Sequence, residues 1–323
     1  ADGVTERYRR QWPYIFVDEY QDVNLLQYRL LQYLAPSAAQ LFVIGDPDQA
    51  IYGFRGSDVR YFNRFTDDYR SGTQVSLLRN YRSSETIIRA ATGMLGKHAL
   101  ADKTGLGSGI TGTPRVEIVS LPSEHSEAEH IVKTIETLIG GSSHFAIDSG
   151  RGAAVDAGIS FGDVAVLYRS HVVGDAIETA LARSGMPVQR IRRPASSDDP
   201  LVSESDLYDP RAEGVALMTL HAAKGLEWRI VFIAGVEDGF LPYNEFVASD
   251  IDEERRLLFV GMTRAREQLF ITYACSRNWR GQRSSRRPSP FLAAIPDLFK
   301  IESAPRYGSR IHKDQGEQLT LFE

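Results

Sequence analysis

Two adjacent carboxylates, Asp18 and Glu19, follow the apolar run Ile15-Phe16-Val17. A strand that ends in acidic residues places them at the carboxyl edge of a parallel sheet, where open α/β folds bind ligands. In nucleotide hydrolases the first such carboxylate holds Mg²⁺, directly or through water, and the next polarises the attacking water. Taken alone, the pair is better explained as an acidic loop capping a helix at Asn24. A second apolar run, Leu41 to Ile44, leads into Gly45-Asp46-Pro47-Asp48-Gln49-Ala50-Ile51-Tyr52-Gly53-Phe54-Arg55-Gly56-Ser57. Gln49 at that strand's end can contact a phosphate or orient water, and Tyr52, Phe54 and Arg55 can stack on and pair with nucleic acid. The competing reading is a Gly/Pro turn with its aromatics tucked into the core, and it is strongest for Tyr52.

The elements that must carry these residues are visible in the hydrophobic pattern. Tyr14 to Val17, Leu41 to Ile44, Val164 to Leu167, Val215 to Met218 and Ile230 to Ala234 are predicted strands, uniformly apolar as strands buried on both faces are. Asn24 to Leu34, Ser84 to Leu95, Ser126 to Ile139, Val172 to Arg183 and Asp252 to Arg264 have helical spacing. Ser83-Ser84-Glu85-Thr86 supplies a capped start for the second helix. Strands alternating with helices predict α/β layering around parallel sheets. Gly96 to Thr113 and Gly140 to Gly162 are predicted surface insertions, and Ala195 to Glu213 an exposed acidic connection. Arg277, Arg280, Arg283, Arg286 and Arg287 crowd around Trp279.

With these segments in place, the sequence resembles the UvrD/Rep/PcrA-like branch of superfamily 1 DNA helicases. Asp18-Glu19-Tyr20-Gln21-Asp22 is similar to their Walker B motif, and Gly45 to Ser57 to their third motif. Leu78-Arg79-Asn80-Tyr81-Arg82-Ser83-Ser84 resembles motif IV, Met218 to Glu227 motif V, and Glu253 to Ala265 motif VI. Five motifs in the family's order over most of the chain make chance agreement very small.

The resemblance implies RecA-like parallel sheets flanked by helices. Residues 1–74 would be the C-terminal part of the first motor domain, 75–300 the second, and 301–323 a flexible tail. It further implies ATP and Mg²⁺ as cofactors, with Asp18 on the metal, Glu19 and Gln49 in catalysis, and Arg82 and Arg264 as arginine fingers. Tyr81, Gly225 and Glu227 would bind the nucleotide. Tyr52, Phe54, Arg55, Thr219 and His221 would meet DNA, although a structural hydrogen bond serves His221 nearly as well. The implied function is an ATP-dependent helicase or translocase of 3′→5′ polarity acting in DNA repair or replication. The alternative is a non-catalytic DNA-binding or recruitment module that retains a motor fold.

Two departures qualify that expectation. No GxxxxGK[ST] loop occurs in the 323 residues, and Gly96-Lys97-His98 is only a decoy. The chain is therefore expected to be a fragment that is inactive alone. Some 135 residues separate Arg82 from Thr219, too few for the accessory domain 2B that relatives insert there, so a short loop near 195–213 is expected in its place. Phe54 stands where relatives commonly carry tryptophan, which keeps a stacking face.

Composition sets outer limits. Hydrophobic residues make up 42% and charged residues 24%, an ordinary globular balance, and the net charge of −5 advertises no global attraction to nucleic acid. The single cysteine excludes a disulfide scaffold, and no apolar run nears the roughly 20 residues of a membrane span. A cytoplasmic, non-membrane protein is expected. Finally, Gln318-Leu319-Thr320-Leu321-Phe322 closes a polar tail. It resembles the short peptides by which bacterial repair proteins dock on the sliding clamp, with Gln318, Leu319, Leu321 and Phe322 as the contacting residues.

Overall fold

A computed structural model describes residues 2–37, 40–110, 115–140, 158–192, 204–243 and 250–304. The tail residues Gln318, Leu319, Leu321 and Phe322 lie outside them, as does 195–203 of the acidic connection.

The chain opens with a helix, α1 (Asp2–Gln11), and then two short parallel strands, β1 (Ile15–Val17) and β2 (Leu41–Val43). Between the strands runs α2 (Leu25–Leu34), whose first turn is closed by a reciprocal capping box of Asn24 and Gln27. Tyr20, Val23 and Tyr28 form the small core beneath them. Here the expectation of strands buried on both faces fails. Phe16 and Phe42 pair in register and are 75% and 58% exposed, because among the described residues only one face of this two-stranded sheet is covered.

The larger sheet has seven parallel strands in the order β13-β5-β10-β9-β6-β8-β7. The short pair β3 (Arg79–Asn80) and β4 (Gly107–Ser108) precedes it. Its members are β5 (Val116–Leu121), β6 (Val164–Tyr168), β7 (Val188–Arg190), β8 (Val215–Thr219), β9 (Trp228–Ala234), β10 (Ala265–Ala274) and β13 (Lys300–Ser303). Side chains alternate across a strand, and the two hydrophobic clusters divide accordingly. Ala165, Leu167, Ala216, Met218, Val231 and Ile233 enter one cluster, with α3 (Glu85–Leu95) and α6 (Ile251–Met262). Val164, Val166, Val215, Leu217, Ile230 and Phe232 enter the other, with α4 (Glu124–Ile139) and α5 (His171–Arg183). The central strands are thus apolar throughout because helices cover both faces. None of the described helices is long and apolar enough to cross a membrane.

Three features go beyond what the sequence pattern indicates. Ala265–Ala274 is the longest strand among the described residues, yet its polar start, Arg266-Glu267-Gln268, hides it from a search for apolar runs. Gly96 to Thr113 is not merely a surface insertion: it supplies β4, and Lys103 within it is only 17% exposed and paired with Asp46 and Asp48. Of the arginines after β10, Arg277 is 1% exposed and held between Glu127 and Glu237. It leads the hairpin of β11 (Ser276–Trp279) and β12 (Gln282–Ser285).

Candidate functional site

The ends of β1 and β2 carry the first group of side chains. Asp18 is exposed, and its Oδ1 accepts the Glu19 N–H at 2.8 Å. Glu19 adopts a left-handed conformation with φ of 49°, which an L residue holds at a cost of about 1–2 kcal/mol. Its carboxylate accepts a hydrogen bond from the Gln21 amide, whose own oxygen accepts from the Asp46 N–H at 3.1 Å. Gly45 lies close against that amide: a Cβ there would sit 2.3 Å from the Gln21 oxygen and would have to displace it. Asp46 then accepts from the Gln49 side-chain amide at 3.1 Å and from Lys103 at 2.8 Å. A continuous chain of hydrogen bonds therefore links Glu19 to Gln49.

The second group comes from the larger sheet and meets the first. Lys224 Nζ donates to the Gln49 carbonyl at 2.9 Å and to Asp22, and lies 3.5 Å from Glu19. Burial raises the pKa of Asp22, and the Lys224 charge opposes that rise. Arg82 donates to the Glu227 carboxylate, which also attracts Arg266 at 3.6 Å. Tyr81 stands 72% exposed with the Arg79 guanidinium 5.4 Å over its ring. Arg264 is 1% exposed and donates to the carbonyls of Val260 and Leu226, at 3.0 and 3.2 Å, and to the Thr263 hydroxyl at 3.1 Å. Burial lowers its pKa to about 10, helped by the nearby Arg82 charge and opposed by Glu19, Glu227 and Asp46. Both arginines therefore lie within electrostatic reach of Glu227. Gly225 ends the Lys224 turn with φ of +84°, a conformation only glycine takes freely.

The aromatic residues after Gln49 form a separate group. The Arg55 guanidinium lies 5.0 Å from the Tyr52 ring and 5.5 Å from the Phe54 ring. Tyr52 is half-buried and donates to the His221 carbonyl at 3.3 Å, whereas Phe54 is 68% exposed and meets the His221 ring edge-on at 5.4 Å. Burial, with the charges of Arg169 and Arg55, pushes the His221 pKa down to about 3, so its ring is neutral near neutral pH. Thr219 donates to Glu204 at 3.1 Å and accepts from the Ala222 N–H at 3.1 Å. Gly53 N–H donates to Glu253 of α6 at 3.2 Å, and Arg256 of α6 donates to the Ala50 carbonyl at 2.9 Å. Ile51, fully buried, joins the core of the larger sheet. This loop is held from both sides.

Among the described residues no three His, Cys, Asp or Glu side chains converge as a metal cage. A Mg²⁺ ion carried on nucleotide phosphates needs only one or two carboxylates, and exposed Asp18 at a strand end fits that requirement. Lys224, Asp22, Lys103 and Glu204 are the participants not singled out from the sequence. Lys224 lies inside the motif V segment and was open to notice. Lys103 and Glu204 carry no local signal, because their partners are 57 and 15 residues away.

Residues 1–70 match the family model of the UvrD/REP helicase N-terminal domain, and residues 75–193 and 201–276 match that of the UvrD-like helicase C-terminal domain. The ATP-dependent DNA helicase PcrA of Staphylococcus aureus is 25% identical over 434 aligned positions, covering 91% of this chain and 59% of that protein. The ATP-dependent DNA helicase UvrD2 of Mycobacterium tuberculosis is 30% identical, covering 94% of this chain and 53% of that protein. The chain thus spans little more than half the length of the curated relatives it matches. The 434 aligned positions exceed the chain's 323 residues, so PcrA carries more than 100 residues with no counterpart here. With its motifs in order and most of its length matched, the chain belongs to the UvrD-like helicase family.

Proposed function

We propose that this chain is part of an ATP-driven DNA translocase or helicase motor of 3′→5′ polarity, acting in DNA repair or replication. The observation that carries the reading is the meeting of Glu19 and Gln49, from the β1–β2 unit, with Lys224, from the larger sheet. In this reading ATP lies between the two units, with Tyr81 stacked on the base and Glu227 on the ribose. Asp18 holds Mg²⁺, which supplies charge neutralisation on the phosphates. Glu19 polarises the attacking water, Gln49 senses the terminal phosphate, and Arg82 and Arg264 stabilise the charge that develops on it. Gly225 lets the chain turn tightly at the nucleotide. The Glu19–Gln21–Asp46–Gln49 chain of hydrogen bonds would pass nucleotide state to Tyr52, Phe54 and Arg55. Those residues, with Thr219 and His221, would grip single-stranded DNA through stacking and backbone contacts.

Hydrolysis in this reading requires a phosphate-binding loop from outside these 323 residues, which contain none. The uncovered Phe16 and Phe42 support a first motor domain completed by further chain. Domain 2B is replaced by a short connection, in keeping with the break in the family match between 193 and 201. The chain as it stands is expected to hydrolyse ATP at background rate. An extended protein carrying the loop should show DNA-stimulated, Mg²⁺-dependent turnover, with kcat lowered roughly 10³-fold or more by Glu19→Gln. Full turnover in that variant would remove the role assigned to Glu19. Lack of turnover in the extended protein, with DNA binding retained, would favour a recruitment module.

The C-terminal Gln318, Leu319, Leu321 and Phe322 are proposed to dock on a bacterial sliding clamp, on sequence pattern alone. A tail peptide should bind the clamp at the micromolar scale, about −8 kcal/mol. Replacing Leu321 and Phe322 by alanine should abolish that binding. No heat in a calorimetric titration of the unaltered peptide would end the idea.

A further inference from the structure

Glu204 stands where its charge works against the proposed DNA groove. It opens a single 3-10 turn, Glu204–Leu207, in the acidic connection that leads to β8. Its Oε2 accepts the hydroxyl proton of Thr219, the last residue of β8, at 3.1 Å. The negative charge of Glu204 also raises the pKa of Tyr52 and Tyr168 and opposes the burial-driven fall at His171, after larger influences in each case. One carboxylate thus acts at once on groups from the loop after β2, the end of β6, the start of α5 and the end of β8.

These surroundings suit an anion larger than a carboxylate. Arg55 contributes positive charge at Tyr52, and Arg190 and Arg192 contribute it at Tyr168 and His171. Among the described residues the Tyr168 hydroxyl and the His171 Nδ1 are buried without a hydrogen-bond partner, and such groups normally find one in a protein or a ligand. A phosphodiester presents the same kind of acceptor to Thr219 as a carboxylate does, with more oxygens to reach its neighbours.

We propose that Glu204 occupies the place of a backbone phosphate on Thr219, making it an intramolecular competitor of single-stranded DNA. This rests on the DNA-binding role of the Phe54–Thr219 groove proposed above. Binding must then displace Glu204 or bear its repulsion, so the chain holds DNA more weakly than its groove alone would.

The test is fluorescence anisotropy with a labelled oligothymidylate and the 323-residue chain. Glu204→Gln should bind about tenfold more tightly at low salt, the scale of one close unfavourable charge. The advantage should shrink as added salt approaches about 0.3 M. Glu213→Gln, in the same acidic connection, should change affinity less than twofold, and melting curves of both variants should match the parent. Equal affinity of the parent and Glu204→Gln, with Phe54→Ala still weakening binding, would overturn the competitor and leave the groove in place. An equal gain from Glu213→Gln would reduce the effect to general charge. Absence of binding by the parent and by Glu204→Gln alike would remove both readings.

Discussion

Lys224 donates to the main-chain carbonyl of Gln49 at 2.9 Å while pairing with Asp22. One 6%-exposed ammonium group thereby joins the larger sheet to the loops that follow β1 and β2. Lys224→Met would leave a mostly buried Asp22 carboxylate without its partner, at a cost of about 2 kcal/mol. The expected result is a lower melting temperature, with faster hydrogen exchange at residues 45–56. Unchanged exchange there would show that the Glu253 and Arg256 contacts suffice to seat the loop.

Arg82 and Arg264 should respond differently to truncation although both are assigned to the terminal phosphate. Arg82 pairs with Glu227 at the surface, so Arg82→Ala should alter folding stability by less than about 1 kcal/mol. Arg264 is buried and bonded to two carbonyls, so Arg264→Ala should destabilise as well. In the extended protein both should lower kcat by roughly 10³-fold. Parallel melting and turnover measurements separate the two effects. Normal turnover in Arg82→Ala would exclude it from the phosphate.

Histidine 221 predicts a pH dependence with a definite sign. Its pKa is pushed down to about 3 in the folded chain from an ordinary 6.5, first by burial and then by Arg169 and Arg55. The unfolded chain therefore takes up a proton that the folded chain refuses. Its contribution to stability is complete above pH 6.5 and is lost as pH falls towards 3. The melting temperature of His221→Gln should accordingly fall less than the parent's between about pH 7 and 4. Parallel pH profiles would place the His221 ring in solvent.

Arg277 anchors the rear of the larger sheet. It donates to Glu127 and, at 3.0 Å, to Glu237, while the two carboxylates also accept from Gly235 N–H, Ala274 N–H and the Thr272 hydroxyl. Burial works against its charge, yet the carboxylates hold its pKa above the ordinary range. Burial raises the Glu237 pKa, and Arg277 opposes the rise. Arg277→Met would leave two like charges enclosed together, at a cost of about 3–5 kcal/mol. Urea unfolding should register that loss. A change under about 1 kcal/mol would mean that water reaches the carboxylates.

Local chemistry made much of this protein legible in its sequence. Val164 to Leu167, Val215 to Met218 and Ile230 to Ala234 are buried strands because runs so apolar must be covered on both faces, and the helices between them have the apolar stripe to do it. The capped start at Ser84 was visible for the same reason: its partner, the Ile87 N–H, lies three residues on. What sequence could not supply was set by partners far apart in the chain. Arg277 and Arg280 look alike in sequence, but only the fold encloses Arg277 between carboxylates 150 and 40 residues away. The Lys103 clamp on Asp46, the Lys224 bond to Gln49 and the Glu204 contact with Thr219 are of this kind. A charge's role depends on which opposite charge or carbonyl the fold brings within about 3 Å, and that distance is a property of the tertiary structure alone.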